Sequence, residues 1–200
     1  NLSLDEYASL EAQIAAIADD IAYNNHDIDD GLRAGFFTYQ ELMDLPLIGN
    51  IIREFPKNFV NRDIQRINNE ITRRSTARMV NDVLSSIANN VENGGIKNTE
   101  DVRKHDSAIV SFTPKMQTDV GTIREFLSDR MYNHEKVRNM SKNAERIISA
   151  LYNLLVDDQD LIYSKLKIKK DDKISKSRRV CDFIAGMTDN YAQSVYQEYC

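Results

Sequence analysis

The sequence predicts an all-α fold, and three observations predict it. Only 7 Gly and 3 Pro interrupt 200 residues. Apolar residues recur at helical spacing, i, i+3, i+4 and i+7, through most of the chain. The composition, 42% apolar and 28% charged, is that of a globular protein large enough to bury a core. There is no apolar run of about 18 residues, so no membrane span is expected, and the acidic, polar start does not read as a signal peptide. The net charge of −5 argues against a general nucleic-acid binder, which leaves nucleic acid unsupported as a partner. Cys181 and Cys200 form no spacing motif and read as reduced thiols of a cytoplasmic protein.

Taken in order, the first helix is capped by Ser3 or Asp5 and runs over 4–30, with Gly31 and Gly35 bracketing its end. Helical remainder fills 39–200, and the whole reads as one unit. A short helix covers Tyr39–Met43, Pro46 and Gly49 mark a turn, and Ile51–Phe55 forms another short helical piece. A long helix spans about Asp63–Asn90 on the apolar positions Ile64, Ile67, Ile71, Val80, Val83, Leu84 and Ile87. Its polar centre carries Arg73, Arg74 and Arg78, either a solvated basic face or a patch facing a nucleotide or another subunit. Residues 89–104 read as loop around Gly94-Gly95, and Ala108–Phe112 as a short extended run. Helices follow over about Gln117–Met131 and His134–Val156, the latter with a core stripe from Val137 to Leu155 that includes Met140 and Ile148. The basic stretch Lys165–Arg179 reads as an exposed connection, with phosphate or strand binding as the alternative. Helices over about Ser177–Met187 and Thr188–Glu198 close the chain.

The first helix, LEAQIAAIADDIAYNNHDIDDGLRAG from Leu10 to Gly35, has two unlike sides. With about 100° per residue, Leu10, Ile14, Ile17 and Ile21 fall within roughly 60° of one another and read as a core stripe. Asp19, Tyr23, His26, Asp27 and Asp30 gather opposite, within roughly 100°. That face is either solvated surface or a site. No Lys or Arg occurs between Asn1 and Leu32, so these carboxylates have no cation one turn away on their own helix. A tyrosine in the middle of the stripe gains little from water. The pattern calls for a partner from outside the helix, such as a metal ion or the hydroxyls of a sugar.

Further on, Arg124 and Tyr132 lie eight residues apart, about 80° apart on a continuous helix, so both can reach one cavity. The plain alternative is a surface ion pair for Arg124 and a half-buried Tyr132. His26 is placed to hydrogen-bond with Asp27. His134 either approaches a substrate or packs, and packing is favoured. His105-Asp106 reads as a loop pair without catalytic meaning. Asp182 and Asp189, seven apart, share a face if their helix is continuous, and read as residues that cap helices or hold arginines.

Three stretches carry a resemblance to a known family. The segment ADDIAYNNHDIDDGLRAG resembles the last metal-ligand helix of the HD-domain dNTP triphosphohydrolases, the bacterial dGTPase-like family. The stretches REFLSDRMYNHEKV, from Arg124, and RRVCDFIAGMTDNYA, from Arg178, resemble two later segments of the same family in the same order. The resemblance implies that Asp19 is the last metal ligand of an H…HD…D set. It implies that Tyr23 and Asp27 contact the deoxyribose, that Arg124 grips the triphosphate and that Tyr132 packs on the sugar. It further implies the C-terminal half of a helical HD-domain enzyme that hydrolyses a dNTP to deoxynucleoside and triphosphate with a divalent metal (Mg, Mn, Fe, Co or Ni) and assembles as a hexamer or tetramer. The H…HD ligands have no counterpart before Asp19, so this chain alone is expected to bind no metal and to be inactive. An HD phosphohydrolase for another nucleotide and a non-enzymatic helical interaction module are the two rival readings.

Overall fold

A computed structural model describes residues 6–56, 64–158, 161 and 174–200. They are helical, with no strand among them, and form two compact units, one ending at His134 and the other starting at Glu135.

In the first unit, α1 (Leu10–Ala34) is capped by Ser9, whose Oγ accepts the Ala12 N–H at 3.4 Å. The expected caps Ser3 and Asp5 lie outside the described residues. The helix runs a turn past Asp30, straight through Gly31. Gly31 is a packing site, because a Cβ there would meet the Phe37 ring at 2.3 Å. The stop is Gly35, in the left-handed conformation at φ 70°, whose N–H reaches back to Gly31 and Leu32. The core covers the C-terminal half of α1: Ile21 and Ile28 are buried together with Asn24, Asn25 and Gly31. The expected stripe is correct in direction but uncovered toward the N-terminus, where Leu10 and Ile17 are half-buried and Ile14 is 43% exposed.

The chain then forms α2 (Tyr39–Leu42), closed by a Thr38/Glu41 capping box, and α3 (Pro46–Arg53). The expected turn at Pro46 and Gly49 is instead the first half of α3. Proline suits a first helical turn, and Gly49 lets α3 lie on the Met43 carbonyl, which a Cβ would strike at 2.1 Å. The long helix α4 (Ile64–Asn93) buries Ile67, Ile71, Met79 and Val83. Val80 and Leu84, assigned to its core stripe, are exposed at 40% and 59%. Among the described residues α1 and α4 form the most extensive helix pair, and they run antiparallel. Asn25 Nδ2 donates to the Ile21 carbonyl and to Met79 S at its centre.

The expected loop over 89–104 contains α5 (Thr99–Arg103), nucleated by a capping box between Asn98 and Asp101. The apolar run after it does not pair as a strand. Its Ile109 and Val110 N–H groups donate to the buried Gln13 Oε1 at 2.9 and 3.1 Å, which ties the segment to α1. The helix α6 (Pro114–Leu127) starts three residues before the expected Gln117, because Thr113 caps it and Pro114 fills its first position. A π-helical turn, Ser128–Tyr132, follows directly, and Asn133 N–H donates to Ser128 O across five residues.

In the second unit, α7 (Glu135–Asp157) packs on α8 (Lys176–Ala185) and on α9 (Asp189–Tyr199). Leu155, Leu161 and Val180 form one cluster, and Ile147, Leu151 and Val195 another. Met140 (72%) and Ile148 (50%), assigned to the α7 core, are exposed. The two closing helices are separate, with a break at Gly186–Thr188, so Asp182 and Asp189 do not share one continuous helix face. Asp182 pairs with Arg178 within α8, while Asp189 opens α9 behind the Thr188 cap. Cys181 and Cys200 are free. No helix among the described residues is long and apolar enough to cross a membrane.

Candidate functional site

The face of α1 opposite its core points toward α6 and the π turn. Tyr132 Oη donates a hydrogen bond to the Asp27 carboxylate, and the Tyr23 hydroxyl lies beside the pair. Burial, and then the bond to Asp27, pushes the Tyr132 phenol above its ordinary range. Tyr132 therefore keeps its proton through neutral pH and acts as a donor. Two turns before Asp27 on α1, Arg124 Nη2 lies 3.0 Å from Asp20 Oδ2. The four residues Tyr23, Asp27, Arg124 and Tyr132 thus stand along one α1–α6 seam. The π turn contributes to this. Its wider winding turns the chain less per residue, so Tyr132 returns closer to the Arg124 side than the roughly 80° of a continuous α-helix.

Two hollows flank the seam, and Arg124 lines both. An open groove of about 850 Å³ runs past Glu41, Thr122, Ser128 and Arg130. A smaller hollow of about 290 Å³ is lined by Gln13, Asp20, Ser111, Phe112 and Gln117. The larger volume lies within the usual range of small-molecule sites. Arg130 pairs with Glu41 at the groove's edge, which leaves Arg124 as the guanidinium shared between the hollows.

The remaining candidates are placed differently. Asp19 is exposed, and among the described residues it makes no hydrogen bond or ion pair. No group of three or more His, Cys, Asp and Glu side chains able to hold a metal occurs among those residues. His26 is exposed and does not make the expected bond to Asp27, because neighbouring residues on a helix point about 100° apart; the Asp27 carboxylate accepts from Tyr132 instead. His134 packs on Phe36, with ring centroids 4.7 Å apart. His105 sits in a loop and bonds to Ser107 through Nδ1. The three arginines at the polar centre of α4 are engaged within the chain: Arg73 and Arg74 with Glu70, Arg78 with Glu54. Of the basic stretch, Lys165 to Lys173 lie outside the described residues. Asp20 is the residue that sequence reasoning missed. It follows Asp19 by one position, roughly 100° round the helix, and only its partner's position reveals its role.

Comparison with known proteins bears on the same residues. A phosphohydrolase-associated domain matches residues 110–198. A deoxyguanosinetriphosphate triphosphohydrolase-like protein of Caulobacter sp. (strain K31) is 42% identical over 193 residues, 96% of this chain and 49% of that protein. By sequence, this chain is similar to dGTPase-like proteins over nearly its whole length. A dGTPase-like protein of Parvibaculum lavamentivorans is 40% identical over 194 residues, again 96% of this chain and 49% of its own length. One of Bradyrhizobium sp. (strain ORS 278) is 38% identical over 192 residues. The chain thus spans about half the length of the dGTPase-like relatives it matches. The phosphohydrolase-associated region includes Arg124 and Tyr132, while Asp19, Tyr23 and Asp27 precede it.

Proposed function

We propose that this chain is the C-terminal part of a dNTP triphosphohydrolase that cleaves a deoxynucleoside triphosphate to deoxynucleoside and inorganic triphosphate. The observation that supports this reading is the convergence of Tyr23, Asp27 and Tyr132 beside Arg124, on the side of α1 that also carries Asp19. In this reading the Tyr132 ring lies against C2′ of the sugar, where a ribose hydroxyl has no room. Asp27 holds that ring by its hydroxyl and accepts the sugar 3′-hydroxyl, with Tyr23 beside it. Arg124 takes the phosphates, for which a permanently charged fork is suited. Positioning and charge neutralisation are what these residues supply to the reaction.

A divalent metal is part of the same reading, with Asp19 as one ligand. Among the described residues Asp19 stands without two further carboxylate, imidazole or thiolate partners, and one exposed carboxylate does not hold a divalent ion firmly. The other ligands belong to polypeptide outside the chain, as does the homo-oligomer expected of the whole protein.

Calorimetric titration with inorganic triphosphate, dGTP, GTP and dAMP tests the reading. Inorganic triphosphate is expected to bind, and Arg124→Ala to weaken it about tenfold. The chain should prefer dGTP over GTP, and Tyr132→Ala should erase that preference. Equal binding of GTP or dAMP would favour a phosphohydrolase for another nucleotide. Binding indifferent to both substitutions would favour an interaction module.

A further inference from the structure

On the side of α1 opposite the candidate site, α1 and α4 leave an apolar groove of about 240 Å³ between them. Ile14, Ala18 and Ala22 line it from α1; Val80, Leu84 and Ile87 line it from α4. These residues keep strict helical spacing, and sequence periodicity assigns most of them to a core. Yet Ile14, Val80 and Leu84 are 43%, 40% and 59% exposed. Three large aliphatic side chains aligned on one face of a helix pair are costly to leave in water, at about 25 cal/mol per Å² of apolar surface. The pattern is that of a core with one layer missing.

The shape specifies the occupant. Two antiparallel helices with a trough between them accept a third helix laid along the trough. Ala18 and Ala22 keep the α1 wall low, so the third backbone can approach closely. The relatives specify its source: proteins about 40% identical over 96% of this chain are twice as long, with as much polypeptide outside the matched half as within it.

We infer that the groove is the seat of an amphipathic helix with an aliphatic face, supplied by the half of the dGTPase-like protein that this chain does not contain. The groove and the candidate site lie on opposite faces of one helix: Ala18 and Ala22 line the groove, and Asp19 and Tyr23 stand on the other face. A helix seated there therefore packs against the helix that carries Asp19. The inference rests on the aliphatic faces and on the lengths of the relatives, and holds whichever nucleotide the site takes.

The test is co-expression of the 200-residue chain with the unmatched half of the Caulobacter sp. relative, the two on separate polypeptides, followed by co-purification and hydrogen exchange. A one-to-one complex is expected, with exchange slowed at 14–22 and 76–87. Leu84→Asp and Ile14→Asp should each reduce complex recovery at least tenfold, while circular dichroism shows both variants folded. Met140→Asp, on an exposed apolar position of α7, should leave recovery unchanged. The inference is overturned if no complex forms, if the groove variants recover as much complex as the unaltered chain, or if the groove is protected instead by a second copy of this chain. Because association is the readout, its failure is distinct from failure of the nucleotide titrations.

Discussion

Asp20 and Arg124 show how much one residue's neighbour matters. Both side chains are about half exposed, so their pairing is worth little and is readily exchanged. A polyanion arriving at Arg124 must displace Asp20, or approach with Asp20 still competing. Asp20→Asn is therefore expected to tighten binding of inorganic triphosphate several-fold, measured by calorimetry, with little change in thermal stability. Weaker binding in that variant would instead make Asp20 a support that orients the guanidinium. The sequence showed the carboxylate and the arginine, but not that they meet. Its angular reading of α1 singled out Asp19, while the position one residue on faces α6. The Asp27–Tyr132 bond is likewise invisible to local pattern, since 105 residues separate its partners.

At the scale of an element, short-range chemistry decides where helices start and how closely they pack. Gly49 is buried with the Met43 carbonyl against its Cα, and any side chain there forces α3 outward. Gly49→Ala is expected to cost about 3 kcal/mol in urea denaturation, at the upper end for overpacking. A tolerated alanine would mean that α2 and α3 slide freely. On α4, Glu70 accepts hydrogen bonds from Arg73 and then Arg74, which hold its carboxyl down to about 2 from the ordinary 4.5. The folded state binds the proton less tightly than the unfolded one, so the stabilisation is present above pH 4.5. It fades as pH falls toward 2 and is absent below that. Glu70→Gln should thus lower stability by about 1 kcal/mol at pH 7, a modest figure because the pair is partly solvated, and should have little effect at pH 2. Denaturant melts at the two pH values check the sign. Cap and glycine signals were readable in the chain, although Pro46–Gly49 shows the same letters serving a turn or a tight helix. Which of the two forms depends on whether a carbonyl lies underneath.

Across the whole molecule, each compact unit has apolar clusters of its own. In the second unit, Leu155 is fully buried against Val180 and the side chains of α8. Leu155→Ala should cost about 3 kcal/mol through the cavity it leaves and speed amide exchange in α7 and α8. Unchanged exchange there would show that α8 holds without this contact.

By itself the sequence determined the all-α class, most helix spans, the acidic and aromatic face of α1, and the likeness to the dGTPase-like proteins. These depend on residues within one or two turns of each other, or on the order of residues alone. The tertiary structure decided which apolar faces are covered, that Arg124 meets Asp20, and that a π turn aims Tyr132 at Asp27. A periodic stripe says that a face is apolar, whereas its burial depends on whether another element lies across it. That partner is set by contacts distant in sequence, which helical periodicity does not encode.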